Sequence, residues 1–92
     1  MAESGSTVTV KYKGTLETPD GPQFDAASKF TFTLDAGEVI KGWDQGIKGM
    51  REGGKRRLTV PPRLGYGKRG SPPEIPGNAT LVMVVKMRQV HD

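Results

Sequence analysis

Gly42-Trp43-Asp44-Gln45-Gly46-Ile47-Lys48-Gly49 is the one stretch of this 92-residue chain that reads as a helix, and the fold class turns on it. Trp43, Ile47 and Met50 fall at i, i+4 and i+7 and so share one face. Asp44 near the start and Lys48 near the end suit the helix dipole. Gly42, Gly46 and Gly49 oppose helix formation, since an interior glycine costs about 1 kcal/mol relative to alanine. Such a segment is not helical alone; it needs its tryptophan face packed on a sheet.

The flanking sequence supplies that sheet. Val8, Val10, Tyr12 and Leu16 recur at even spacing, which predicts a half-buried strand over residues 7–16. Thr18-Pro19-Asp20-Gly21 signals a turn. The chain returns through Phe24, Phe30, Phe32 and Leu34, a strand interrupted near Ala26-Ala27 and ended by Asp35-Ala36-Gly37. Past the helix, Gly53-Gly54 turns into an alternating strand over residues 55–60. A Pro- and Gly-rich stretch without periodicity follows from Pro61 to Asn78, and a loop that long in so small a domain is usually functional. A last strand over about 80–90 has Leu81, Met83, Val85 and Met87 on one face and Val82 and Val84 on the other, which puts it inside the sheet. The expectation is one α+β domain over residues 1–92, an antiparallel sheet on one short helix, with residues 1–6 disordered.

Composition narrows the chemistry. There is no cysteine, which excludes disulfides, thiolate nucleophiles and sulfur-ligated metals and fits a reducing compartment. The single histidine, His91, is penultimate and reads as solvated, so neither a metal centre nor a histidine-based triad is expected. Met1–Ser6 has neither a basic start nor an apolar core, and no apolar run approaches membrane-spanning length, so a cytoplasmic or nuclear monomer is expected.

Gly65-Tyr66-Gly67-Lys68-Arg69-Gly70 matches G-x-G-x-x-G, but Ser71-Pro72-Pro73 follows where a dinucleotide site needs a helix. These glycines read as turn residues around an ordered Tyr66, and no cofactor is expected. Asp25 and Asp44 lack a second carboxylate at a catalytic spacing, and no Ser or Thr has a histidine base. Any enzymatic chemistry must therefore proceed without proton transfer or a covalent intermediate. The net charge is +4, and Lys48, Arg51, Lys55, Arg56, Arg57, Arg63, Lys68 and Arg69 crowd the central third. They read first as a solvated face, and second as a patch for nucleic acid or an acidic partner.

Taken together, these segments resemble the FKBP family of prolyl isomerases. Val10-Lys11-Tyr12-Lys13-Gly14-Thr15-Leu16 is similar to its first hairpin strand, and Phe24-Asp25 to its F-D pair. Gly37-Glu38-Val39-Ile40-Lys41-Gly42-Trp43-Asp44-Gln45-Gly46 is similar to the signature G-x-V-I-x-G-W-x-x-G. Val60-Pro61-Pro62, Leu64-Gly65-Tyr66-Gly67, Gly70, Ile75-Pro76 and Ala79-Thr80-Leu81 resemble its pocket loop and final strand. The match is collinear over about residues 7–90.

The resemblance implies a twisted sheet around a short helix, with an apolar pocket that isomerises X-Pro bonds in proline-containing polypeptides and binds tacrolimus or rapamycin. It implies Trp43 as the pocket floor and Tyr12, Phe24, Phe32, Val39, Ile40, Tyr66 and Met83 as its walls, with Asp25 at the rim and Ile75 in the pocket loop. The Ile40 N–H and the Tyr66 hydroxyl would hold a bound carbonyl. Phe30, Leu34 and Leu58 are read as core. The chain departs from the pattern in beginning just before the second strand, which leaves about four strands with residues 55–60 at an edge. Its loop after Asp25 is shorter, Met83 replaces an aromatic, and Ser71 and Glu74 replace histidine and an apolar residue. The competing reading is a binding module on the same fold, with little turnover.

Overall fold

The computed structural model describes residues 1–91. Four antiparallel strands, β1 (Thr7–Leu16), β2 (Gln23–Thr33), β3 (Lys55–Val60) and β4 (Leu81–His91), form one sheet in the order β2-β1-β4-β3. One helix, α1 (Lys41–Ile47), packs on it. The strand that is apolar on both faces, β4, is central, and the charged β3 is at the edge, where lysine and arginine discourage pairing with another chain.

Alternation decides which side is core. Val8 and Val10 of β1 pair with Phe32 and Phe30 of β2 and with Val90 and Met87 of β4, and these residues face α1. Trp43, Ile47 and Met50 are all buried in the same cluster. The helix ends at Ile47, so Met50 reaches the core from the turn beyond it, its N–H bonded to the Ile47 carbonyl.

The glycines that weaken α1 let it lie close to β3. A Cβ on Gly42 would stand 2.6 Å from Val60 Cγ1, and one on Gly46 would stand 2.7 Å from Leu58 Cδ2. The helix exchanges propensity for proximity to the sheet, and packing supplies what propensity lacks. Its end is held from outside: Arg56 of β3 donates to the Gly46 and Lys48 carbonyls. Lys48 in turn pairs with Asp35 at 2.6 Å, and the Asp35 N–H donates to the buried Asp44 carboxylate at 2.9 Å.

Two expectations are corrected, and a third gains a detail. Residues 2–6 pack onto the domain rather than lying disordered: Ala2 is only 1% exposed, and its backbone pairs with Met50 and Gly49. A lone alanine between Met1 and a polar stretch has no periodicity to signal that it will pack beside Met50. His91 is exposed, as its position suggests, and also bonded, its Nε2 lying 2.8 Å from Thr9 Oγ1, because β4 extends to it. Residues 61–78 are not structureless; they hold a 3₁₀ turn (Pro62–Leu64) and a bridge between Ser71 and Ile75.

Candidate functional site

Irregularities in β2 make the site. Regular alternation would send Phe24 and Asp25 to opposite faces. Gly14 pairs with Asp25 while Thr15 pairs with Gln23, so Phe24 is the extra residue of a β-bulge. Bulges re-aim side chains, and here both residues border one cavity. The Phe24 ring lies over Gly14, where a Cβ would come within 2.5 Å of Phe24 Cζ and 2.9 Å of Met83 Sδ. Only glycine leaves room for both walls to meet there. A second shift, between the Val10–Phe30 and Tyr12–Ala27 pairs, brings Phe30 beside Tyr12.

The cavity measures about 170 Å³ and opens between the sheet and the start of α1. Trp43 lies at its base, edge-on to Tyr12 with ring centroids 4.8 Å apart and to Phe30 at 6.0 Å. Such edge-to-face pairs add about 0.5–1.5 kcal/mol each beyond area burial, so the floor is rigid. Val39 and Ile40 border the cavity just before the helix, and Met83 and Leu81 border it from β4. Tyr66, 41% exposed, stands at the mouth. Its backbone is fixed by the Gly70 N–H donating to the Tyr66 carbonyl at 3.0 Å and by flanking bonds from Gly65 and Gly67 to Pro62. The G-x-G-x-x-G run thus forms a turn: Gly67 and Gly70 have φ of 63° and 68°, and a Cβ on Gly70 would strike the Ile75 carbonyl.

Two residues expected at the site, Phe32 in the wall and Ile75 in the pocket loop, do not border the cavity. Phe32 is buried behind the wall, stacked on Phe30 at 5.6 Å and tilted against Trp43 at 5.6 Å, and Phe30, read as core, takes the wall position. Both phenylalanines share a face of β2, and only the bulge decides which one reaches the cavity. Ile75 is buried in the core cluster, its backbone paired with Ser71, and does not border the cavity. Leu81 and Glu38 border the cavity without having been singled out. Both lie within segments that carried the family resemblance, Glu38 at an unspecified position of the signature before α1.

The polar groups have distinct states. The Tyr12 hydroxyl donates to Asp25 Oδ2 at 2.7 Å, and Asp25 Oδ1 accepts the Ala26 N–H at 2.8 Å. Burial, and then the Asp25 carboxylate beside it, push the Tyr12 phenol up to about 12 from its ordinary 10.0. Tyr12 therefore holds its proton at neutral pH, and its hydroxyl is already committed. Among the described residues, the Ile40 N–H and the Tyr66 hydroxyl make no hydrogen bond to protein. Arg56, read as part of a basic patch, is occupied at the helix end.

A half-open sheet folded over one short helix, with an aromatic-floored cavity between them, defines a class of small ligand-binding α+β domains. The sequence comparisons narrow the class: a family model described as FKBP-type peptidyl-prolyl cis-trans isomerase matches residues 1–88. The chain belongs to that family. Peptidyl-prolyl cis-trans isomerase FKBP2 of Mus musculus is 48% identical over 93 residues, covering 97% of this chain and 65% of that protein. FK506-binding protein 4 of Aspergillus oryzae is 51% identical, with 97% and 19% covered, and the FK506-binding protein of Neisseria meningitidis serogroup C is 46% identical, with 99% and 85% covered. The chain thus spans just under two thirds of the mouse relative's length. The crystal structure of AtFKBP13 matches with a TM-score of 0.89 at 37% identity, covering 98% of this chain and 82% of that one.

Proposed function

We propose that this domain catalyses cis–trans isomerisation of X-Pro bonds in polypeptides, as a monomer in the cytoplasm or nucleus. The observation that carries the reading is the cavity of about 170 Å³ floored by Trp43, with two uncommitted donors at its edge. That is well below the roughly 300–1,000 Å³ of a pocket for a drug-sized ligand, and suits one small apolar ring. A pyrrolidine ring is such a group. The absence of cysteine supports the reducing compartment.

The chemistry follows from the amide. Resonance opposes rotation with a barrier of about 18–20 kcal/mol. In the twisted transition state conjugation is lost, and the charge separation between nitrogen and oxygen falls. A dry aromatic site favours that less polar state over the planar amide, whose dipole prefers water. A gain on the order of 10⁵ requires about 7 kcal/mol of selective stabilisation, drawn from packing and desolvation. The Ile40 N–H and the Tyr66 hydroxyl hold the flanking carbonyls. Because the Tyr12 hydroxyl donates its hydrogen bond to Asp25, it presents no free donor to the ring.

Relatives named FK506-binding protein support the further proposal that tacrolimus occupies the same cavity, with rapamycin as a second macrolide ligand. Most of such a molecule would lie outside on the rim around Tyr66 and Glu38. The test is NMR exchange spectroscopy on a Leu-Pro peptide, with and without tacrolimus. Catalysed exchange blocked by the macrolide is the expected result. Binding without acceleration would overturn the isomerase reading and leave a proline-binding module.

A further inference from the structure

The cations on the strands form a different cluster from the one suggested by sequence order. Lys11 of β1 and Lys55 of β3 are each the direct cross-strand partner of Lys86 on β4, so three lysines stand in one row across the sheet. Two residues along, Lys13 and Arg57 flank Val84 in the same way. All five cations are exposed. Strands β1, β3 and β4 contain no carboxylate at all. The one ion pair among the described residues, Lys48 with Asp35, lies elsewhere. Like charges directly opposite one another are destabilising, and among the described residues no ion pair offsets this row. A shallow depression on this face is bordered by Lys55, Arg57 and Val84.

We propose that this outer face of the sheet docks an acidic polypeptide segment, an extended run of Asp and Glu. Adjacent strands lie about 4.8 Å apart and same-face residues along a strand about 6.8 Å apart, so the five cations cover roughly 10 by 7 Å. An extended acidic segment laid along the strands presents carboxylates on one side at that same 6.8 Å period. Val84, between Lys13 and Arg57 in the second row, gives the segment's methylenes an apolar seat. Nucleic acid fits less well. The cross-strand partners on this face include no Phe, Tyr or Trp on which a base could stack. Four of the five cations are lysines, compact point charges without the planar fork that suits phosphate. Even a single duplex-binding module covers about 600 Å² or more.

This site is separate from the cavity. Tyr12, which borders the cavity, lies between Lys11 and Lys13 on β1 and points to the opposite side. A deca-glutamate peptide is therefore expected to leave isomerisation unchanged while it binds.

The test is titration of isotope-labelled protein with deca-glutamate, followed by amide shifts, together with anisotropy of the labelled peptide. Shifts centred on Lys11, Arg57 and Lys86 are expected, with affinity falling about tenfold in Lys86→Glu, a loss of about 1.4 kcal/mol, and falling again in raised salt. Trp43→Leu is expected to bind the peptide as the parent does. Lys55→Gln with Arg57→Gln repeats the test should Lys86→Glu fail to fold. Unchanged affinity in both charge variants, or shifts confined to the cavity, overturns the proposal. So does displacement of the peptide by duplex DNA or by phosphatidylserine vesicles at lower charge concentration, which would assign the face to nucleic acid or to a membrane.

Discussion

Arg56 of β3 clamps the end of α1 at Lys48, its guanidinium donating to the Lys48 carbonyl at 2.7 Å and, two residues earlier, to the Gly46 carbonyl at 2.9 Å. Both acceptors are helix-end carbonyls that lack intrahelical partners. The clamp joins the sheet edge to the helix that carries Trp43.

Arg56→Ala is therefore expected to destabilise the domain by about 1–2 kcal/mol, the range for charged hydrogen bonds at a partly solvated site. For a chain of this size that lowers Tm by roughly 4–16 °C. Both bonds come from one guanidinium nitrogen, Nη1, so an ammonium in the same place can make both, and Arg56→Lys is expected to recover more than half of the loss. Thermal unfolding followed by circular dichroism checks both. An unchanged Tm in Arg56→Ala would show that the clamp contributes nothing.

Gly42→Ala tests why a weak helix former occupies α1. Propensity alone predicts a gain of about 1 kcal/mol. The new methyl, however, would stand 2.6 and 2.9 Å from the two Cγ atoms of Val60 and 3.3 Å from the Leu64 carbonyl oxygen. Valine is stiff at χ1, and overpacking of this kind costs about 1–3 kcal/mol. The expected result in urea unfolding is a net loss of about 1 kcal/mol. Stabilisation would show that the helix has room to withdraw from the sheet.

The Tyr12 phenol gives a pH signature. Its folded pKa lies near 12 and its ordinary value at 10.0, so the folded state prefers the protonated form. The resulting stability is complete below pH 10 and is lost as pH rises from there towards 12. Ultraviolet titration of the phenolate band is expected to show one tyrosine ionising near 12. Asp25→Asn is expected to lower that midpoint while leaving it above 10, because burial is the larger cause and the carboxylate the smaller. A midpoint at 10 in the parent protein would mean that Tyr12 is neither buried nor bonded as described.

The two ends of the cavity should separate in kinetics. Tyr66 is exposed and its hydroxyl has no protein partner, so Tyr66→Phe is expected to leave Tm unchanged and lower kcat/KM about 2- to 10-fold, one hydrogen bond of about 0.5–1.5 kcal/mol. Trp43→Leu removes the floor and is expected to lower kcat/KM more than tenfold and to reduce stability by about 2–4 kcal/mol. Exchange measurements on a Leu-Pro peptide below the unfolding range provide the comparison. Full activity in Trp43→Leu would sink the assignment of this cavity as the reacting site.

What the residues disclosed before any coordinates follows from how local each signal is. The period-two pattern of Val8, Val10 and Tyr12 defines β1, and the two-sided apolar run from Leu81 to Val85 marks β4 as central. Both signals lie within a single segment. The position of Phe24 on the bulge, and the exchange of Phe30 for Phe32 at the cavity wall, depend on register between two strands, which no single segment specifies. The clamp by Arg56 was hidden for a similar reason. In sequence it is one of three consecutive cations, and only the packing of α1 against β3 distinguishes it from Lys55 and Arg57.

The alternation of Lys11, Tyr12 and Lys13 along β1 also bears on how this domain tolerates sequence change. A one-residue insertion or deletion within that strand inverts every side chain after it. Lysine would then point among the aromatic rings, and tyrosine would face solvent. Losses or gains of chain length are expected to survive in the turn at residues 17–22, which joins β1 to β2, and to be purged from residues 8–15. Variation in β1 is thereby confined to like-for-like exchange, so two unrelated surfaces are inherited as one unit.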